Sequence, residues 1–204
     1  MKNKDFAALA QRLLPELPGF TVKAPLMFIA PVTHTLRGLC FESHSHEPRM
    51  FYLWAFFLPL FIPRRHVSFN FGIRVGSDRW NADAPNLVPE LVSALKREAS
   101  PFLAPIESPR DVAQVAMSQR VPQNPHYQRT FAYALARAGD VGKAISELDE
   151  LMRSIDLKIP WQREIADEAE VLKSKLLANP DDGQRQLDEW EAESVRNLGL
   201  EKFR

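Results

Sequence analysis

Apolar residues recur at helical spacing near the start of the chain. Phe6, Leu9, Ala10, Leu13 and Leu17 fall on one side of a helix that Asp5 can cap and the Pro18-Gly19 pair ends. The rhythm then changes. Four runs, 20–30, 35–45, 50–62 and 66–75, are rich in Phe, Val, Ile, Leu and Thr and are separated by short breaks, which predicts a four-stranded antiparallel meander. In the last run Val67, Phe69, Phe71, Ile73 and Val75 alternate with His66, Ser68, Asn70, Gly72 and Arg74, predicting one dry face and one wet face. The third run, MFYLWAFFLPLFI, is apolar on both faces, so it is either covered on both sides or offers one side to a partner. Pro59 donates no ladder bond, and a bulge or bend is expected there.

Beyond Trp80 the period is helical throughout. Leu87, Leu91 and Leu95 share a face, Val112, Val115 and Ala116 mark a short helix after Pro109, and Pro101 to Pro109 reads as a connection. Val141, Ala144, Ile145, Leu148, Leu151, Met152 and Ile155 keep helical spacing. Trp161, Ile165, Ala169, Leu172 and Leu176 follow a break at Pro160, and Asp181 to Leu198 is a more polar helix anchored by Leu187, Trp190 and Leu198. The expected fold is α+β, with an N-terminal helix, a four-stranded antiparallel meander, and a C-terminal helical assembly packed against the sheet. The expected division is residues 1–109 for the helix, sheet and following helix, and 110–204 for the helical region.

Composition sharpens this picture in one respect. Lys plus Arg and Asp plus Glu both number 26, yet residues 1–80 carry ten bases against five acids, and residues 81–204 carry sixteen against twenty-one. Opposite charge is expected to help dock the two parts. The single Cys40 excludes an internal disulfide, no paired Cys and His spacing suggests structural zinc, and no apolar stretch reaches the length of a membrane span. The opening residues lack a continuous apolar stretch, so a cytoplasmic protein is expected.

Residues 127–154, YQRTFAYALARAGDVGKAISELDELMRS, place Ala132, Gly139, Ala144 and Leu148 at the spacing of small and apolar positions in a helix pair, and this stretch resembles a single tetratricopeptide repeat. No second copy appears one period up or down the chain, and since such repeats bury their faces by stacking, a single copy reads as an ordinary helical hairpin packed on a neighbour. The runs containing FFLPLFIP and VSFNFGIR, within residues 1–75, are similar to an uncharacterised bacterial family in which a helix precedes an antiparallel sheet. Some similar small domains occur among accessory or immunity proteins of bacterial toxin systems. The likeness implies no functional residue.

Three patterns bear on chemistry. Glu42, His44 and His46 alternate along ESHSH, and an extended chain would put all three on one face as ligands for a divalent metal. A turn at Pro48 would instead leave them solvated. His34, Arg64, Arg65 and His66 gather charge at the other end of the meander, where they could meet an anion or a partner's acidic surface, or shield a hydrophobic hairpin from aggregation. Phe69 and Phe71 near Arg74 invite comparison with sheets that stack single-stranded nucleic acid, but alternation assigns both rings to the core and a net charge of zero lacks the usual footprint. Asp167, Glu168 and Glu170 form an acidic patch on one helix. No nucleophile motif or phosphate-binding glycine loop is present, and Cys40 sits in a strand-like context that suits a packed thiol.

The expected function is therefore a non-enzymatic, cytoplasmic protein-interaction module of accessory or immunity type, without a cofactor. Its partner is another protein, and a homo-oligomer is also open. A metal-dependent enzyme using Glu42, His44 and His46, and a sheet binding single-stranded nucleic acid, are the alternatives.

Overall fold

The computed structural model describes residues 1–76, 79–119 and 124–204. The chain divides into two units: residues 1–58, 68–106 and 202–204 form one, and residues 59–67 and 107–201 the other. One break between the units falls at 106–107. Two short exchanges, 59–67 and 202–204, carry no signal in the residue pattern.

The first unit is an α+β structure. Helix α1, Asn3–Leu13, buries Phe6, Leu9, Ala10 and Leu13. Asp5 sits in its first turn rather than at its cap, and its carboxylate accepts from the Lys2 N–H at 2.8 Å. The sheet consists of β1 Phe20–Lys23, β2 Leu26–Ile29, β3 Thr35–Ser43, β4 Met50–Pro59, β5 Gly72–Arg74 and β6 Trp80–Asn81. The first five lie in chain order across the sheet, and β6 pairs with β4 beyond β5. More strands form than the four expected. Run 20–30 folds back on itself at Ala24-Pro25 and pairs Phe20 with Ile29. Only Gly72–Arg74 of the run 66–75 joins the sheet, because residues 59–67 belong to the other unit and cannot feed a strand directly from Pro63.

Against one face of this sheet pack α1 and the segment that follows β6. Helix α2, Leu87–Ala94, continues through a π turn, Leu95–Ala99, into α3, Ser100–Leu103. The wide turn precedes Pro101, which has no N–H to donate, so the segment read as a connection is partly helical. Phe6, Leu13, Phe41, Phe51, Leu53, Leu91 and Leu95 belong to one continuous apolar core. The doubly apolar run 50–62 is covered: Phe51, Leu53, Phe56, Phe57, Leu58, Leu60, Phe61 and Ile62 are all buried. Met50, Tyr52 and Trp54, on the alternate positions of β4, stay half-buried.

The second unit is helical: α4 Pro109–Ser118, α5 Pro125–Arg137, α6 Val141–Ser154, α7 Pro160–Ala178 and α8 Pro180–Leu198. Four of these start with proline at the first helical position, where its missing N–H costs nothing, after Ser108, Asn124, Ile159 or Asn179. Each helix packs chiefly on the next, and α5 also touches α7 and α8. Helix α5 is central, so it is buried nearly all round. Gly199, at a φ of 61°, closes α8, and Leu200 folds back to donate to the Val195 carbonyl at 2.9 Å. No helix among the described residues is long and apolar enough to cross a membrane.

Candidate functional site

The two units differ in where they keep polar groups. Among the described residues, every buried polar or charged side chain, namely Gln128, Arg129, Thr130, Gln186, Glu191 and Ser194, lies in the helical unit. So does each large apolar side chain left exposed: Met117, Leu157, Trp161, Val171 and Leu177. Buried polar groups are costly unless hydrogen-bonded, so their concentration marks the part of the molecule shaped by something other than packing.

The most unusual of these groups line one face of α5. His126, Arg129, Thr130 and Tyr133 follow the spacing i, i+3, i+4, i+7 and therefore share that face. Arg129 is 6 % exposed, Thr130 1 % and Tyr133 0 %. His126 Nδ1, Arg129 Nε, Thr130 Oγ1 and the Tyr133 hydroxyl are all shut off from solvent with no hydrogen-bond partner in the protein. From α7, Glu168 accepts from Arg129 Nη1 at 3.0 Å. Trp161 stacks on His126 with ring centroids 5.0 Å apart, and Trp190 of α8 stacks on Tyr133 at 5.5 Å.

Arg64 enters this group from the segment 59–67. Its main chain is pinned to α8: Arg64 N donates to Ser194 Oγ at 3.0 Å, Ser194 Oγ donates to the Ile62 carbonyl at 3.1 Å, and Asn197 Nδ2 donates to the Arg64 carbonyl at 3.0 Å. The residue keeps part of its surface in solvent, but its Nε is enclosed and unpaired. Burial, together with the charge of Arg129, pushes the Arg64 guanidinium down to about 9. Burial lowers His126 to about 4, and the two arginines add to the shift, so its imidazole is neutral at pH 7. The Glu168 carboxyl is raised by burial against the opposing pull of Arg129. Burial also raises the Tyr133 hydroxyl, which stays protonated.

The sequence-derived candidates distribute differently. Strand β3 ends at Ser43, so Glu42 alone keeps strand geometry and the extended arrangement of ESHSH does not form. Glu42 accepts from Trp54 Nε1 at 2.7 Å. His44 Nδ1 accepts from the backbone N–H groups of His46 and Glu47 at 3.2 and 3.1 Å, which fastens the hairpin turn. Among the described residues no group of three or more His, Cys, Asp or Glu side chains is placed to hold a metal ion. Of the cationic candidates, His34 belongs to the sheet unit, Arg65 and His66 are exposed in the helical unit, and Arg64 joins the polar group on α5.

Phe69 also departs from the expected pattern. Residues 66–71 are not strand, alternation fails there, and Phe69 stacks on Trp54 at 5.1 Å on the side of the sheet that carries Arg74. Arg74 in turn lies over Tyr52 and Trp54, at 4.1 and 5.1 Å from the ring centroids. With Phe69 and Arg74 already on it, Trp54 is not an open platform for a nucleobase. Phe71 is buried against Phe57, as expected.

Burial first, and Glu42 second, raises the Cys40 thiol to about 12, so this cysteine is protonated and packed rather than nucleophilic. The sheet unit also contains an apolar cavity of about 180 Å³ beneath Leu17, Phe20, Leu39, Leu95 and Leu103, whose lining includes Ser100 but no charged group. Chemistry that needs charge therefore has its material in the helical unit.

No protein-family model, curated protein or solved structure matches the chain.

Proposed function

We propose that the protein is a non-enzymatic, cytoplasmic interaction module of accessory or immunity type, and that its helical unit is the part that binds another protein. One observation carries this reading: the large apolar side chains exposed among the described residues all belong to the helical unit, while the greasy strand β4 is covered. Leu157 is 55 % and Trp161 43 % exposed where α6 hands over to α7, and Leu177, at the end of α7, is 62 % exposed. Aromatic and aliphatic side chains of this kind anchor interfaces when they bury against a partner. The α5–α6 pair, with Ala132 and Ala144 fully buried at its resemblance to a tetratricopeptide repeat, supports the same use, since helical arrays present extended binding faces.

The test is affinity capture with the full chain from native cells, run in parallel on Leu157→Asp and Leu177→Asp. Each substitution places a charge on an already exposed position, and circular dichroism of each variant checks that the fold is kept. The reading expects a protein that co-purifies with the parent chain and is depleted by at least one of the two substitutions. Identical co-purifying proteins from all three, or none from any, would refute it.

A further inference from the structure

We propose that the helical unit binds a compact oxyanion between the Arg64 and Arg129 guanidiniums and the hydroxyls of Thr130 and Tyr133. The argument begins with charge. Among the described residues Arg64 makes no direct ion pair, Arg129 pairs with Glu168, whose charge also acts on Arg64, and His126 is neutral, so two guanidiniums share one nearby carboxylate. An enclosed charge without a counter-charge is among the most costly arrangements a protein can hold.

The same helix shows what a compensated arginine looks like in this protein. Two turns on, Arg137 is also largely buried, and it pairs with Asp188 at 2.6 Å and Glu191 at 3.5 Å. Among the described residues Arg64 has no such direct partners. Its N–H and its carbonyl are both fastened to α8, by Ser194 and Asn197, so the fold fixes the point from which this side chain projects.

The chemistry of the unsatisfied groups selects the ligand. Arg Nε–H groups can only donate, and the Thr130 and Tyr133 hydroxyls have protons to give, so the complement is rich in acceptors. Water would satisfy the hydroxyls but would leave the positive charge uncompensated. An oxyanion supplies acceptors and negative charge together. Arg64 is half-buried rather than sealed from solvent. The donors come from two segments, the α5 face and the chain at 64, which suits a group with oxygens in several directions.

Titration of the full-length protein with sodium phosphate, sulfate or acetate, each at ionic strength matched with sodium chloride, tests this directly. Isothermal calorimetry is expected to give one site per chain for at least one of the three. The thermal midpoint should rise with that anion by equal increments per tenfold concentration beyond its Kd. Preference for phosphate and sulfate over acetate identifies a tetrahedral ligand, and the reverse a carboxylate. Arg64→Gln should weaken binding at least tenfold. Tyr133→Phe, which preserves packing, should weaken it about threefold to tenfold through one lost donor. If Arg64→Gln does not fold, Tyr133→Phe decides alone. No response beyond chloride, or unaltered binding by the folded variants, would overturn the proposal.

Discussion

The sheet unit and the helical unit solve the problem of charge in opposite ways. In the sheet unit the interior is dry, built from Phe6, Phe41, Phe51, Leu53 and Leu91, and its ion pairs lie outside: Arg49 with Asp83, Arg79 with Glu47, Lys96 with Glu16. In the helical unit Arg129, Glu191 and Ser194 are inside, while Leu157 and Leu177 are outside. The first arrangement gains its stability from burial of apolar area, with little from exposed pairs. The second spends stability on polar groups that packing alone does not require. That difference is the ground on which the proposed function is assigned to the helical unit.

Substitutions sharpen the contrast, beginning with the largest effect. Phe51→Ala, in the dry core, should lower unfolding free energy by ~3–5 kcal/mol in urea titrations. Arg129→Met leaves the largely buried Glu168 carboxylate without its hydrogen-bonded partner and should cost about 3 kcal/mol by the same measurement in chloride buffer. A loss near zero would mean that the helical interior is well hydrated. Gly183→Ala forces a methyl group into Leu176 where α7 and α8 meet, and about 1–3 kcal/mol should be lost.

The pH dependence follows from His126. Its folded-state pKa lies below the unfolded value of 6.5, at about 4, so on acidification the unfolded chain gains a proton that the folded chain does not. Its contribution is complete above pH 6.5 and is lost as pH falls toward 4. Glu168, with a raised pKa, acts in the opposite sense: its contribution is present at low pH and is lost as pH rises. The informative quantity is therefore the stability difference between the parent chain and His126→Phe, which retains an aromatic ring against Trp161. That difference should move against the parent chain between pH 6.5 and 4. At the small end, Arg49→Ala removes a fully exposed pair and should leave the denaturation midpoint unchanged.

Periodicity was sufficient for the class of fold, because amphipathic helices such as α1 and α6 and the greasy β4 declare themselves locally. It failed at residues 66–71, where strand-like alternation is present but the preceding segment is committed to the helical unit, so no continuous strand can form. The candidate site was legible only at Arg64 and, within an acidic patch, at Glu168. Polar residues at helical spacing, as in His126, Arg129, Thr130 and Tyr133, ordinarily indicate a solvated face. Here α5 is the middle helix of its array and has no such face. That fact depends on which helices pack around it, which no local pattern encodes. The ESHSH segment illustrates the converse: its spacing suits a metal only while the chain stays extended, and His44 instead ties down the turn.

The most direct measurement of the account's central claim is the stability of Arg64→Met in dilute chloride buffer without other anions. An enclosed cation lacking its counter-charge is a liability to the unliganded fold, so the variant should unfold at the same or a higher denaturant concentration than the parent chain. A fall comparable to that of Phe51→Ala would contradict the account, because Arg64 would then be a satisfied structural residue of the helical unit.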